Sequence, residues 1–307
     1  MKNPVVQKTL FLCGILLAFS GSISSPEALL LGFVLTLLAG QPFPELTQKA
    51  TKSLLKISVV GLGFGMYITE TLQTGKEALG LTIFTIVSTL CLGWLLAKLL
   101  KIESDIAHLI ASGTSICGGS AIAAVSSVIQ AKPKSISVSL GVIFFLNSMA
   151  LFIFPVVGHY LHMNQHQFGL WAAVAIHDTS SVVGAAMSYG EEALKVATTV
   201  KLARSLWIIP VSLLSVFLFK KRNGKIKIPW FILLFVLAIL LNSYLQLPLV
   251  LTKSITGISK RLLIVTLFLV GSSLSPEDIR KTGWKPFLLG IGLWVFISIG
   301  ALLYILN

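Results

Sequence analysis

Long runs of apolar residues, separated by short polar or charged stretches, divide the chain into eleven segments. Most runs are 15–24 residues long, and about 20 apolar residues suffice for a helix to cross the hydrocarbon core of a bilayer. The runs lack the alternation of apolar and polar residues that marks the strands of a membrane barrel. The pattern therefore predicts an all-α membrane protein, with segments at 5–20, 27–41, 52–69, 77–99, 107–130, 136–158, 167–188, 196–219, 228–247, 254–272 and 283–306.

Composition supports the same class. Hydrophobic residues make up 55% of the 307 residues and charged residues only 11%, and the mean hydropathy is +0.91. A soluble domain carries about 25% charged residues. The chain has too few polar residues to cover the surface of a soluble protein, so we expect a multi-pass membrane protein.

The net charge of +13 reflects basic residues at the ends of the apolar runs. They form no single stripe with interleaved aromatic residues, so nucleic acid is not an expected partner. With eleven spans, 15 of the Lys and Arg residues lie on the side of the N-terminus and 9 on the other, and the loop "KKRNGKIK" (220–227) contributes most. The positive-inside rule then predicts a cytoplasmic N-terminus and an external C-terminus.

Two stretches resemble each other: "SLLKISVVGLGFGMYITETLQTGKEALGLTIF" (53–84) and "RLLIVTLFLVGSSLSPEDIRKTGWKPFLLGIG" (261–292). Each has an apolar span ending in small residues, a loop with acidic and basic residues, and a second apolar span. Seven spans separate the copies, and this odd offset gives them opposite orientations. The pattern predicts inverted repeats, which are typical of secondary transporters.

The fifth segment contains "SGTSICGGSAIAAV" (112–125), where small polar residues interrupt an apolar run. Glycines weaken a helix by about 1 kcal/mol each relative to Ala, so the stretch predicts an interrupted helix. Backbone N–H groups at a helix start can bind an anion. Close packing of helices through small residues is the alternative. The predicted substrate-binding residues here are Gly113, Thr114, Ser115, Cys117, Gly118, Gly119 and Ser120.

The seventh segment contains "AVAIHDTSSVVGAAM" (173–187), with His177 and Asp178 near its centre. Ionisable residues at this depth are costly and usually mark a transport pathway or a proton relay. We therefore expect His177 to contact substrate, and His177 and Asp178 to carry a coupling proton or ion.

A third polar group lies in "TTVKLARSLWIIP" (198–210), where Lys201 and Arg204 share one helical face. Either residue could offset the charge of an anion, or both could be anchors at the membrane edge. Asn147, in the middle of "FFLNSMALF", is predicted to form a hydrogen bond between helices.

Neither a metal nor a cofactor is expected. His159, His162 and His166 form a loop cluster without Asp, Glu or Cys beside it, and their spacing fits no metal-binding motif. The glycines follow no dinucleotide or P-loop spacing. Three widely separated cysteines, Cys13, Cys91 and Cys117, argue against a disulfide framework.

The block "GTSICGGSAI", the segment end "GLGFGM", the His-acidic centre of segment seven and "VKLARSLWIIPVSL" resemble the YeiH-like family of bacterial inner-membrane proteins, named as sulfate exporters. The chain has His177-Asp178 where His-Glu is expected in that family. The family is similar to cation–proton antiporters and bile-acid-type anion transporters. The resemblance implies inverted repeats, a core with two interrupted helices that cross at mid-membrane, and a panel region that forms a homodimer.

One feature does not fit inverted repeats. The small-polar texture of segment five recurs in segment seven, two spans later, and an even offset gives the two segments the same orientation.

Together these patterns predict a secondary transporter of a small anion, with sulfate or a related sulfur-containing anion implied by the resemblance, alternating access, and H⁺ or Na⁺ as the coupling ion. A Na⁺/H⁺ antiporter built on Asp178 is the first alternative. An intramembrane hydrolase using Ser115 and His177 is the second, and it needs a Ser–His contact. The expected protein is not an enzyme.

Overall fold

A computed structural model describes residues 4–219, 230–245, 247–273 and 283–306. In these ranges the chain is helical and contains no strand. The loop 220–227 and most of the loop in the second repeat copy lie outside the described residues. The helices are α1 (Pro4–Ser20), α2 (Ser25–Ala39), α3 (Pro44–Gly63), α4 (Ile68–Leu100), α5 (Ser104–Ser115), α6 (Gly119–Ile129), α7 (Pro133–Tyr160), α8 (Gln165–Ala175), α9 (Thr179–Tyr189), α10 (Glu191–Ser205), α11 (Ile208–Phe219), α12 (Phe231–Leu245), α13 (Leu249–Ser272) and α14 (Trp284–Leu306).

These helices account for all eleven predicted segments. Five stretches are long and apolar enough to cross a membrane: Ile68–Leu100, Lys134–Tyr160, Glu191–Phe219, Leu249–Ser272 and Trp284–Leu306. Shorter apolar helices accompany them, among them Val5–Ser20 and Phe231–Leu245. Large apolar side chains are also exposed on the outside, for example Leu16, Phe217 and Val250. An exposed apolar surface of this extent suits lipid and not water, so the predicted class, a polytopic helical membrane protein, is confirmed.

The chain forms two compact units whose segments alternate along the sequence. The first contains α1–α3, residues 183–188 of α9, α12 and α13. Within it, Gly32 of α2 and Gly271 of α13 let the two helices approach closely: a Cβ at Gly32 would collide with the backbone of Phe268, and one at Gly271 with the backbone of Leu29. Close backbone approach through glycine is a common way for helices to pack in membranes.

The second unit contains most of α4, then α5–α8, α10, α11 and α14. Segment five forms a helical hairpin in this unit. At its base, the Lys132 ammonium lies 2.6 Å from the Glu103 carboxylate, although about 30 residues of chain separate the two. This hydrogen bond and the charge of Glu103 raise the pKa of Lys132. Nearer the turn, a Cβ on Gly113 of α5 would lie 3.0 Å from the Ile122 side chain of α6. The two arms therefore run back along each other.

Segment seven folds back in the same way. The Tyr189 hydroxyl, at the end of α9, donates to the Met163 carbonyl before α8 at 2.6 Å. The rings of Phe168 and Tyr189 stack with centroids 3.8 Å apart. The Gln165 side chain accepts from the Glu192 amide at 3.0 Å, so the start of α8 also meets the start of α10. Helix α9 therefore returns to the level at which α8 began.

The two hairpins approach the middle of α7 from its opposite ends. The first packs along the early part of α7, where Ser139 donates to the Ile106 carbonyl of α5 at 3.4 Å. The second lies along the late part, where Phe168 packs over Gly158. Both turns reach the centre, because Gly118 lies against Ile143 and the His177 amide bonds Asn147. If α7 crosses the membrane, the hairpins enter from opposite sides.

This arrangement corrects the sequence prediction of two interrupted helices that cross. Segment five is broken where predicted, and segment seven is also broken, at Ile176–Asp178, where the sequence indicated only buried ionisable residues. In both segments the arms on either side of the break turn back. A polar, glycine-rich break does not fix the angle between its arms, and packing against α7 and α10 decides it. Each arm has 11 or 12 residues and is about 17 Å long, roughly half of a 30 Å hydrocarbon core. The fold also explains why the small-polar texture of segment five recurs two segments later, in segment seven. Only one crossing, α7, separates the two hairpins, and it inverts one hairpin relative to the other.

Candidate functional site

The turns of the two hairpins meet near the middle of α7, and this junction brings the sequence-predicted site residues together. The first turn consists of Ile116, Cys117 and Gly118, between α5 and α6. The second consists of Ile176, His177 and Asp178, between α8 and α9. They are in direct contact, because a Cβ on Gly118 would lie 3.2 Å from the His177 carbonyl oxygen.

The first turn depends on Gly118. Its φ of 63° and ψ of −119° belong to a region that residues with a side chain rarely adopt. Its amide donates to the Gly113 carbonyl at 2.8 Å and closes the end of α5. A methyl group here would also press on Ile143, 3.1 Å away. Glycine therefore serves both the sharp turn and the contact between the hairpins.

The predicted substrate-binding residues of the first hairpin differ in accessibility. Ser120, in the first turn of α6, is exposed and Gly119 is half-buried. No side chain caps the start of α6. The accessible part of the stretch is thus the N-terminus of α6, and the residues buried behind it are Gly113, Thr114, Ser115, Cys117 and Gly118.

Asn147 holds the second turn in place. Its Oδ1 accepts from the His177 amide at 2.9 Å and from the Asp178 amide at 3.2 Å. The predicted hydrogen bond between helices is therefore made, and its partner is the backbone of a helix break. Because Asn147 belongs to α7, it fixes the second turn at the level of the first.

The Asp178 carboxylate caps the start of α9. Its Oδ2 accepts from the Ser180 amide at 3.0 Å, from the Ser181 amide at 3.4 Å and from the Ser180 hydroxyl. A carboxylate at a helix start is stabilised by the N–H groups and by the positive end of the helix. Asp178 is half-buried, whereas His177 is fully buried.

Lys201 of α10 joins the two turns from the other side. Its ammonium donates to the carbonyls of Ile116 at 3.0 Å, Ala173 at 3.2 Å and Ile176 at 2.7 Å. Ile116 follows α5 and Ile176 follows α8, so Lys201 bonds the C-terminal ends of both inward-running arms. The side chain is fully buried.

Arg204, one turn further along α10, is fully buried as well. It donates to the Ser115 carbonyl at 2.6 Å and to the Thr85 hydroxyl of α4 at 2.9 Å. Thr85 was not predicted as a site residue, although Thr82, Thr85 and Thr89 interrupt an apolar span. Neither cation is a membrane-edge anchor, so that alternative is wrong.

The side chains at the junction carry an excess of positive charge. Lys201 and Arg204 contribute two positive charges and Asp178 one negative charge, while the two helix starts and the two inward-running helix ends offset each other in sign. The His177 ring adds no charge while it is neutral. The balance favours one additional negative charge at the turns.

Several buried polar atoms at the junction have no hydrogen-bond partner. They are both ring nitrogens of His177, Nδ2 of Asn147 and Nε of Arg204, together with the hydroxyls of Ser112 and Thr114. Buried polar groups are almost always hydrogen-bonded in folded proteins. A cluster of unpartnered donors beside excess positive charge is suited to a small polar or anionic ligand.

The structure also bears on the hydrolase alternative and on the histidine cluster. The Ser115 hydroxyl donates to the Ser112 carbonyl at 3.1 Å, so the Ser–His hydrogen bond that the hydrolase alternative needs is missing. His159 stacks on Tyr189 with ring centroids 4.3 Å apart, and His166 lies 3.3 Å from Glu77. Among the residues that the structure describes, no group of three His, Cys, Asp or Glu could hold a metal ion.

The fold and the junction define a class: a polytopic membrane protein with two opposed helical hairpins that meet at a charged centre. Residues 10–290 match the model of the family described as "Conserved hypothetical protein 698". Because the match covers most of the chain, the protein belongs to this family. No solved structure matches the chain.

Relatives named "UPF0324 membrane protein" occur in several bacteria. The chain is 52% identical to one from Bacteroides thetaiotaomicron over 291 residues, which is 94% of this chain and 88% of the relative. It is 50% identical to one from Photobacterium profundum, with 99% and 94% covered, and 46% identical to one from Shewanella oneidensis, with 100% and 96% covered. These names confirm a membrane protein and leave substrate and mechanism open.

Proposed function

We propose that this protein is a secondary transporter of a small anion, which binds where the two hairpin turns meet and reaches each side of the membrane in turn. One observation carries the proposal: two opposed hairpins place two helix starts, two buried cations and several unpartnered donors at one point. Interrupted helices with their ends at mid-membrane are the usual substrate sites of secondary transporters.

The N-terminus of α6 is the proposed anchor for the anion. Asp178 already occupies the start of α9, and its carboxylate accepts the same amide hydrogen bonds that a bound anion would accept. The start of α6 has no capping side chain, and Gly119 and Ser120 are accessible there. Backbone N–H groups at this end suit an oxyanion.

The remaining site residues have separate proposed roles. His177 and Asn147 offer unpartnered polar atoms, while Arg204 supplies positive charge and holds the end of α5 through Ser115. Asp178, with His177 beside it, is the proposed element for H⁺ or Na⁺ coupling. Gly118 keeps the turns close enough for all of them to act on one ligand.

Sulfate or a related sulfur-containing anion is the substrate to test first, because the family resemblance implies it, with export as the expected direction. The same resemblance implies a homodimer in the bacterial inner membrane.

Inverted repeats remain part of the proposal. When the hairpins are not counted as crossings, the pair α3–α4 and the pair α13–α14 are five crossings apart, an odd number that keeps the two copies in opposite orientations. Each copy also leads from a helix of the first unit to a helix of the second.

Transport in proteoliposomes tests the function. Purified protein is reconstituted with internal unlabelled sulfate, and uptake of external radioactive sulfate is measured with and without a pH gradient. We expect exchange in wild type, at least a tenfold loss in Arg204→Gln, and little change in Lys195→Gln, which removes an exposed cation from the same helix. A panel of small anions follows if sulfate does not exchange.

The antiporter alternative predicts a different result in the same vesicles. It requires Na⁺-driven proton movement without any anion, which a pH-sensitive dye inside the vesicles detects. That result would overturn the proposed anion transport. Absence of both anion exchange and Na⁺-driven proton movement would argue against either function.

A further inference from the structure

Two helix C-termini converge at the junction. The carbonyls of Ile116, after α5, and of Ala173 and Ile176, at the end of α8, point to one position. Each helix end carries about half a negative charge. In secondary transporters, carbonyls at the ends of half-helices and in unwound turns coordinate Na⁺. The backbone geometry alone therefore describes a cation position.

The Lys201 side chain occupies that position. Its nitrogen lies 2.7–3.2 Å from all three carbonyl oxygens. An ammonium has three N–H donors and no acceptor, and carbonyl oxygens only accept. A neutral amine has two N–H groups and could not make the three bonds. The three contacts therefore match the three donors of the charged form of Lys201.

The charged side chains near Lys201 have other partners. Asp178 caps α9 through Ser180, and Arg204 is directed to Ser115 and Thr85. His177 and Cys117 are the other titratable groups at the turns, and both are buried. The three carbonyls are thus the partners of Lys201, and a second cation at this point would be repelled by Lys201 and Arg204.

We propose that the Lys201 ammonium is the built-in cation of the hairpin junction. It occupies a position where the carbonyls of two helix ends could otherwise coordinate a Na⁺, so this position binds no Na⁺ in the native protein. This inference rests on the proposed function, in which H⁺ and Na⁺ are the two candidate coupling ions. It excludes coupling through a Na⁺ bound at this position. The Na⁺-binding claim itself depends only on the geometry of Lys201.

Removing the side chain should create a Na⁺ site. Lys201→Ala leaves three carbonyl oxygens and space for a hydrated cation, whereas Lys201→Met removes the charge but fills much of the space. Lys195→Ala, on the exposed side of α10, is the matched control. Thermal unfolding of each detergent-purified protein is measured in NaCl and in choline chloride at equal ionic strength.

We expect Lys201→Ala to unfold at a lower temperature than wild type in choline, and to gain about 2 °C or more in NaCl, because a ligand that binds only the folded state stabilises it. Wild type, Lys195→Ala and Lys201→Met should show no Na⁺-specific shift. Lys201→Ser serves as a second small substitution if Lys201→Ala does not fold.

Two results would overturn the inference: a Na⁺-specific shift in wild type that Lys201→Met abolishes, or folded Lys201→Ala and Lys201→Ser proteins with no response to Na⁺. If neither small variant folds, the comparison of wild type with Lys201→Met still tests the inference, because a Na⁺-specific shift that this substitution abolishes would overturn it. Since the assay measures binding, it is independent of whether sulfate or any other anion is transported.

Discussion

Asn147 shows how one side chain can serve both structure and ligand. Its carbonyl oxygen accepts two backbone amides of the second turn, while its Nδ2 is buried without a partner. A purely structural asparagine would satisfy both ends, because an unpaired buried donor costs about 1–3 kcal/mol. Substitutions of Asn147 can test the roles of its oxygen and its nitrogen separately.

We expect Asn147→Asp to stay folded and to lose transport at least tenfold. The carboxylate keeps an acceptor for the His177 and Asp178 amides, removes the Nδ2 donor, and adds a negative charge where the junction has an excess of positive charge. Asn147→Ala should instead destabilise the protein by about 1–3 kcal/mol, because two buried amides lose their acceptor. Thermal unfolding and anion exchange on both variants check the prediction, and normal exchange by Asn147→Asp would contradict it.

Asp178 allows charge and capping to be tested separately. Asn caps a helix about as well as Asp, whereas Ala costs about 0.5–2 kcal/mol. We therefore expect Asp178→Asn to unfold near the wild-type temperature but to lose coupling between anion transport and the ion gradient. Transport is measured across pH 5.5–8.5, which brackets the ordinary His pKa of about 6.5. Full activity with an unchanged pH profile would show that Asp178 only caps α9 and has no role in coupling.

At the scale of elements, the two hairpins are short, and each arm reaches only about half the thickness of the hydrocarbon core. Broken backbone at this depth is tolerated where protein or a polar cavity surrounds it. Here α7 and α10 provide that surrounding through Asn147 and Lys201.

Cross-linking tests the first hairpin directly. After replacement of Cys13, Cys91 and Cys117, we expect the pair Glu103→Cys and Lys132→Cys to be joined by a bifunctional maleimide about 10 Å long, because the native side chains form an ion pair. The control pair is Lys132→Cys and His162→Cys, at opposite ends of α7 and about 42 Å apart. Cross-linking of the control pair, or none of the test pair, would contradict the hairpin.

At the scale of the whole molecule, hairpins that do not cross the membrane would change the distribution of charge between its two sides. Lys132 and Lys134 would then lie on the same side as Lys101, while Lys201 and Arg204 are buried at the junction. The bias of Lys and Arg then rises from 15 against 9 to 17 against 5. The positive-inside rule favours the predicted orientation, with a cytoplasmic N-terminus, more strongly with nine crossings than with eleven.

Labelling of single cysteines in intact cells checks this topology. We expect a membrane-impermeant maleimide to label His162→Cys from outside and not Lys132→Cys, which should react only after the cells are broken. Eleven crossings would instead place Lys132 outside and His162 inside. External labelling of Lys132→Cys would therefore favour the simple eleven-span arrangement and contradict the hairpins.

The sequence by itself determined the membrane class, the apolar segments, the break in segment five and most residues of the junction. These follow from local chemistry: apolar runs predict helices in lipid, and Gly118 or His177 interrupts such a run at a high cost unless the position has a role. Tertiary structure alone decided that the broken segments fold back, that Lys201 bonds both turns, and that Asn147 and Thr85 complete the site. The reason is physical: the angle at a break and the partner of a buried donor depend on contacts between residues far apart in the chain, here Glu103 with Lys132 and Lys201 with Ile116, which no local pattern encodes.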